Sequence, residues 1–213
     1  MRHLAEIDGL QYGLLDLDDV PDLVRVIADV FAKHDPPAVA LGLSSPEIKT
    51  IVELLTPKAL EDDVTTIVKT SDDELIGAML SEDFGAPPPD LAAAPASFAP
   101  LGVVLDELEN TYRTFHQIVQ GSDLHLFMLG VADEHGGKGV GQKLVELCVA
   151  NGVRRGYRHA FAEATGLASQ HIFRKAGFRE RGAVLYEQFA YEGKRVFGSI
   201  TEHGGTRLMV RSL

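Results

Sequence analysis

The sequence predicts one α/β domain over residues 1–213, and three observations carry that prediction. Short apolar runs of strand length alternate along the chain with longer segments whose apolar residues recur every three or four positions. One such run, Leu124 to Val131, leads into a glycine-rich turn, Gly136-Gly137-Lys138-Gly139-Val140-Gly141, which opens an amphipathic helix. A chain of 213 residues with 45% hydrophobic content also suffices to bury one sizeable core.

Tyr12 to Leu17 reads as the first strand. Asp18 or Asp19 then caps a helix in which Val20, Leu23, Val24, Ile27, Val30 and Phe31 keep helical spacing as far as His34-Asp35-Pro36-Pro37. A second helix starts at Ser45-Pro46-Glu47, with proline at its first position, and carries Ile48, Ile51, Val52 and Leu55. Asp63 to Thr70 and Leu75 to Ser81 form a hairpin around Ser71-Asp72-Asp73-Glu74. Gly85 to Pro100, rich in Pro and Ala and without periodicity, reads as a mobile loop inside the domain. Val104, Leu108, Tyr112 and Phe115 mark an inserted helix from Leu101 to Val119. Strand alternation over Leu124 to Val131 places His125, Phe127, Leu129 and Val131 on one face. A helix from about Gly139 to Arg155, a strand from Arg158 to Glu163 and a helix closing at Gly177, where φ > 0 suits glycine, come next. Ala183 to Ala190, Arg195 to Ile200 and Thr206 to Val210 supply the last strands, and no internal repeat occurs.

Charge divides the chain. Residues 1–123 hold 7 Lys and Arg against 23 Asp and Glu, a net of −16, whereas residues 124–213 carry a net of +5. The acidic half disfavours nucleic acid and suits a cationic partner such as an amine, although solvated surface acids alone give the same imbalance. No run reaches the roughly 18 apolar residues of a membrane span, and the N-terminus lacks the apolar core of a signal peptide, so a cytoplasmic address is expected. Cys148, the single cysteine, falls within an amphipathic helix and reads as a buried structural thiol.

A turn of this kind lets backbone N–H groups converge at a helix start, where a phosphate or pyrophosphate is the natural ligand. Spacing excludes two familiar versions: Lys138 is followed by Gly139 rather than Ser or Thr, and the residue three beyond Gly141 is Leu144 rather than glycine. The remaining pattern is similar to the Arg/Gln-x-x-Gly-x-Gly/Ala signature of the GNAT superfamily of acyl-CoA N-acyltransferases, with Gly136 standing where that signature has Arg or Gln. Downstream, the helix ending Lys175-Ala176-Gly177-Phe178 resembles the family's x-x-Gly-Phe close. The order of elements, with its helical insertion before the central strand, resembles the dopamine and arylalkylamine N-acetyltransferase branch, as do Asp35-Pro36 and the hydroxyl pair Thr165 and Ser169. The resemblance implies a mixed central sheet of about seven strands flanked by helices. It implies acetyl-CoA as acyl donor, no metal, and a small-molecule amine as acceptor, with a monomer or homodimer as the working form. Pyrophosphate would lie on Gly136, Gly137, Lys138, Gly139, Val140 and Gly141, the pantetheine amides along Leu129, Gly130 and Val131, and the rest of the coenzyme near Phe173 and Lys175. Arg174 is a further candidate for the adenosine phosphate.

Acyl transfer to an amine has fixed requirements. An alkylammonium with a pKa near that of lysine, about 10.4, must lose a proton before attack, and the developing oxyanion and thiolate need donors. Asp35, His125 and Glu163 are the candidate bases. The resemblance assigns Asp35 to the branch's catalytic carboxylate, His125 to the first of two histidines on the central strand, and supporting roles to Thr165 and Ser169. The family's usual tyrosine acid is replaced by Phe173, so Ser169 is the preferred hydroxyl, with Tyr186 and Tyr191 as alternatives. Polyamine, aminosugar or protein-amine acceptors remain open beside arylalkylamines, as does a non-catalytic acyl-CoA sensor.

Overall fold

The computed structural model describes residues 1–115 and 117–213. Eight strands form one sheet: β1 (Arg2–Ile7), β2 (Leu10–Leu14), β3 (Thr66–Lys69), β4 (Leu75–Asp83), β5 (Asp123–Val131), β6 (His159–Ala164), β7 (Arg179–Leu185) and β8 (Gly205–Ser212). Their spatial order is β1-β2-β3-β4-β5-β6-β8-β7. Every neighbouring pair is antiparallel except β5 and β6, which run parallel. The extra strand is β1, whose half-exposed sequence shows little apolar pattern; it pairs with β2 through Asp8 and Gly9, both at positive φ, as a tight hairpin turn requires.

Among the described residues, six α-helices cover the sheet: α1 (Val20–His34), α2 (Pro36–Leu41), α3 (Ser45–Asp62), α4 (Ala99–Arg113), α5 (Val140–Arg155) and α6 (Leu167–Lys175). α1 and α3 bury Leu23, Ile27, Ile48 and Val52 against Ile67, Ala78 and Leu80. On the other face α5 buries Leu144, Val145 and Cys148 against Val68, Met79 and Leu124. Along β6, Ala160, Ala162 and Ala164 join the core under α5, whereas Phe161 points the other way and packs with Val104, Leu108 and Tyr112 of α4. Among the described residues, no helix is long and apolar enough to cross a membrane.

Several expected boundaries shift for physical reasons. Asp19 is the N-cap of α1, as expected, but its side chain makes no capping bond and pairs with Lys69 at 2.7 Å; Asp16 caps the 3-10 turn ahead of it, accepting from Leu17 N–H. Asp35-Pro36-Pro37 does not simply end α1; Asp35 caps the short helix α2. Ser44 and Glu47 form the capping box of α3. The inserted helix begins two residues earlier than expected and ends at Arg113; His116, inside the expected span, lies outside the described residues. Arg195 to Ile200 is not a strand but a series of turns that tuck Phe197 under Tyr186 and Phe189. The strand expected at Ala183 to Ala190 lies earlier, at Arg179–Leu185.

Alternation along β5 is broken. Leu80 pairs with Met128 and the next residue, Ser81, with Leu126, so Phe127 is an extra residue in a β-bulge. Leu129 and Val131 therefore pack on the α5 side, while Phe127 packs with the α1 and α3 core. The expectation of a single face for His125, Phe127, Leu129 and Val131 is corrected by this one inserted residue.

Candidate active site

β5 and β6 pair at only three positions, from Asp123 with His159 to His125 with Phe161, and then diverge. Beyond His125, β5 is still paired with β4 on one side, but its other edge faces the gap, including Leu129, Gly130 and Val131. Such an edge offers N–H and C=O groups to an extended ligand. At Gly130, α1 crosses so closely that a Cβ would lie 2.8 Å from Ile27 Cδ1. The gap opens a cavity of about 1140 Å³ that runs from the glycine turn to the space between α1 and α4.

The turn after β5 is shaped by backbone conformation. Gly137 and Gly139 have φ of +69° and +82°, and a Cβ on either would meet nothing within 4 Å, so dihedral angle rather than space selects glycine there. Gly139 is the N-cap of α5, and Lys143 N–H is taken by Gly139 C=O. The N–H groups ahead of Lys143 lack the intrahelical acceptors that only later residues gain, which leaves them for an anion. Gly136, Gly137, Gly139, Val140 and Gly141 line the cavity, as do Phe173 and Lys175. Lys138 lies outside that lining, its ammonium donating to Glu134 C=O at 2.7 Å. Arg174 pairs instead with Glu180 at 3.4 Å. These features fit a pyrophosphate held mainly by backbone.

Asp35 and Thr165, 130 residues apart, meet on the cavity wall. Thr165 Oγ1 donates to Asp35 Oδ1 at 2.5 Å, and Asp35 Oδ2 accepts from Ala38 N–H at 2.9 Å. Burial pushes the Asp35 carboxyl above its ordinary range, opposed by those two donors and by nearby His203. Thr165 is itself fixed from behind, since Tyr186 O–H donates to its carbonyl at 2.7 Å. Ser169, on the first turn of α6, lines the cavity and donates to Gly166 C=O at 3.0 Å. Tyr186 is fully buried away from the cavity lining, which makes it a support for Thr165 rather than an acid.

His125 is clamped between carboxylates. Its Nδ1 lies 2.9 Å from Glu82 Oε1 and its Nε2 2.7 Å from Glu163 Oε2. The ring stacks on Phe161 at 4.3 Å and 1°, and Phe161 in turn stacks on Tyr112. The charge of Glu163 and the bonds to both carboxylates outweigh burial and hold the imidazole well above its usual pKa, so it is an imidazolium at neutral pH. Both ring nitrogens are occupied, which suits a fixed cation better than a proton shuttle near neutrality. Glu82, Asp106, Glu109 and Glu163 all line this part of the cavity. Burial pushes Glu109 up to about 7, with His125 opposing and Glu163, Glu82 and Asp106 adding to the rise.

Glu82 and Glu109 were not singled out in the sequence. Glu82 sits directly across from His125 in the β4–β5 register, and its signal is the pair of carboxylates, Glu82 and Asp83, that closes a strand apolar as far as Leu80. Glu109 lies beside the buried stripe of α4, next to Leu108. Among the described residues, no three His, Cys, Asp or Glu side chains are grouped to hold a metal ion.

A mixed sheet that splays where β5 and β6 part, its one parallel pair among the described residues, with a glycine turn opening a helix after the central strand, is an α/β architecture built around a cleft. The profile of the acetyltransferase (GNAT) family matches residues 44–178, and the chain belongs to that family. Similar solved structures extend the fold over nearly the whole chain. The C-terminal condensation domain of Ebony in complex with beta-alanyl-dopamine superposes with a TM-score of 0.86 at 15% identity, covering 96% of this chain and 99% of that one. Arylalkylamine N-acetyltransferase 2 from Aedes aegypti gives 0.82 at 18% identity over 96% and 99%. Drosophila melanogaster polyamine N-acetyltransferase gives 0.77 at 15% identity over 96% and 100%.

Proposed function

We propose that this acyltransferase moves an acetyl or other short acyl group from acyl-CoA to the nitrogen of a small primary amine by direct attack. The observation that carries the reading is that one cavity joins the glycine-built anion cradle to the buried Asp35–Thr165 pair and a set of carboxylates. Acyl-CoA supplies an activated thioester when bound. The turn from Gly136 to Gly141 receives its pyrophosphate, the open edge of Leu129 to Val131 its amides, and Phe173 and Lys175 flank it.

Asp35 and Thr165 provide the proton path. Thr165 donates to Asp35 and keeps a lone pair free, so it accepts an N–H of the incoming ammonium and passes a proton to Asp35 Oδ1. Burial makes Asp35 a stronger base than an exposed carboxylate. The freed nitrogen lone pair forms the new N–C bond as the C–S bond breaks, and the second proton leaving nitrogen ends on sulfur. Ser169 stands on the cavity wall as the hydroxyl donor for that sulfur once it turns from Gly166 C=O. His125 acts through Glu163, which it orients.

The lining supports alkylamines as the acceptor class. Phe31, Phe84, Phe98 and Phe127 supply the aromatic wall that suits an arylalkylamine, and the carboxylates around His125 supply the field that attracts any ammonium. The structural neighbours named for arylalkylamine and polyamine acetylation support the same class. Thiol release from acetyl-CoA with arylalkylamines, polyamines, aminosugars and a lysine peptide, against a no-amine control, tests it. Turnover with small primary amines is expected; turnover confined to the peptide or to aminosugars would overturn the assignment.

A further inference from the structure

The structure assigns to Lys33 and His34, at the end of α1, the cationic contact to the coenzyme's pyrophosphate that the glycine turn lacks at Gly136. This rests on the acyl-CoA reading of the turn and names the side chains that complete it.

The turn itself brings an anion little full charge. Gly136 stands where the family signature has Arg or Gln, so that position offers no side chain. The basic residues of the turn and of the helices beside it are mostly engaged elsewhere. Lys138 donates to Glu134 C=O at 2.7 Å, Lys143 pairs with Glu146 at 2.7 Å and Arg174 pairs with Glu180 at 3.4 Å. Lys175 lines the cavity from the far end of α6 and serves the rest of the coenzyme. Backbone N–H groups carry only partial charge, so a pyrophosphate held by them still favours a full cation at its side.

α1 delivers two such groups. Lys33 and His34 in its last turn cross to Asp133, 100 and 99 positions along the chain, on the short 3-10 turn between β5 and the glycines. Lys33 Nζ lies 3.2 Å from Asp133 Oδ2, and His34 Nε2 lies 2.6 Å from Asp133 Oδ1. Those two contacts, His34 first, hold the Asp133 carboxyl below its ordinary range. Asp133 is tied to the first glycine in turn, its C=O accepting from Gly136 N–H at 3.0 Å. His34, Asp133 and Gly136 line one cavity, so these groups stand on the wall where the turn receives its anion.

The hold on the cations is weak. All three side chains are exposed, and ion pairs in such settings contribute little. A pyrophosphate offers more charge and more acceptor oxygens than one carboxylate. Lys33, on its flexible four-carbon stem, and His34, by side-chain rotation, exchange Asp133 for phosphate oxygens. Asp133 acts in the opposite sense, since it competes for the cations and repels the ligand. The signs therefore differ: removing a cation weakens binding, whereas removing the acid strengthens it.

Calorimetric titration of the full chain with coenzyme A, dephospho-coenzyme A and pantetheine tests this without turnover. Lys33→Gln should weaken coenzyme A binding about threefold to tenfold, the scale of one exposed charge-assisted contact, and adding His34→Gln should weaken it further. Dephospho-coenzyme A, which keeps the pyrophosphate, should lose the same factor, and pantetheine, which has no phosphate, should lose nothing. Asp133→Asn should tighten both phosphorylated ligands. Unchanged affinity in the Lys33→Gln/His34→Gln variant, or a loss shared by pantetheine, overturns the contact. So does a loss that vanishes when Asp133→Asn is added, because the cations would then only screen that acid. A loss confined to coenzyme A overturns the pyrophosphate assignment in favour of the 3′-phosphate. Coenzyme A binding no tighter than pantetheine in the unsubstituted chain would remove the cradle as well, and with it the acyl-CoA reading.

Discussion

Asp35 caps α2 and in the proposed mechanism is also the base, two roles that a single substitution separates. As N-cap of α2 it needs an acceptor oxygen, and as base it needs a charge. Asparagine keeps the first and removes the second, so Asp35→Asn should leave acyl-CoA binding and thermal stability nearly unchanged. It should lower kcat by about a hundredfold, within the range of general-base contributions. Because the base must be ionised, kcat/KM of the unsubstituted protein should rise with pH through the elevated Asp35 pKa, and the variant should lose that limb. A pH-rate profile of both proteins reads this. Gly139 offers the complementary test. An aspartate there brings an anion to the cradle and adopts φ of +82° at a cost of about 1–2 kcal/mol. Gly139→Asp should therefore weaken acyl-CoA binding by at least about tenfold in a calorimetric titration while the chain still folds. Cys148 is inert by contrast: burial pushes its thiol up to about 12, and it contacts Ser81 Oγ at 3.1 Å within the core.

Among the elements, α4 and β5 decide what the cleft can hold. α4 brings Glu109 over the sheet, where burial raises its carboxyl to about 7. A raised acid favours the folded state while protonated, so its contribution falls as pH rises from its unfolded value near 4.5 to about 7 and stays low above. Glu109→Gln should accordingly raise Tm at pH 8 and have little effect at pH 4, a comparison that thermal unfolding at the two values makes directly. His125 adds a trend in the same direction. With its folded pKa raised, its stabilisation is complete below about 6.5 and is lost as pH climbs through the elevated value. In β5 the bulge at Phe127 lies just past the point where β6 departs, and it turns the strand so that His125 and Leu129 serve opposite faces. Deleting Phe127 would remove the extra residue and leave Leu126 and Met128 paired as they are, so Leu129 and Val131 should stay in the α5 core and Tm should fall only by the lost Phe127 packing, which thermal unfolding reads.

At the scale of the whole molecule, the features readable in the sequence are those set by local rules. The glycine turn, α5 behind it and the Gly177 stop at positive φ depend on residues within a few positions of one another. The register bulge escaped because alternation contains no signal for an extra residue. The Asp35–Thr165 bond joins α2 to the end of β6 across 130 positions, and the Glu82–His125–Glu163 clamp exists only because β4, β5 and β6 are neighbours in space. β1 was hidden by its polarity, and Arg195 to Ile200 imitated a strand because Phe197 must be buried whatever its backbone does. The cleft assembled from these long-range contacts joins the glycine turn to the Asp35–Thr165 pair and a set of carboxylates, and the proposed direct transfer through it uses no covalent intermediate on the protein. Single-turnover mass spectrometry of protein, thiol and amine product tests that most directly. One N-acyl amine per thiol released, with no acyl mass on the protein at any time, is the expected result; an acylated protein, or thiol released without N-acyl product, would contradict it.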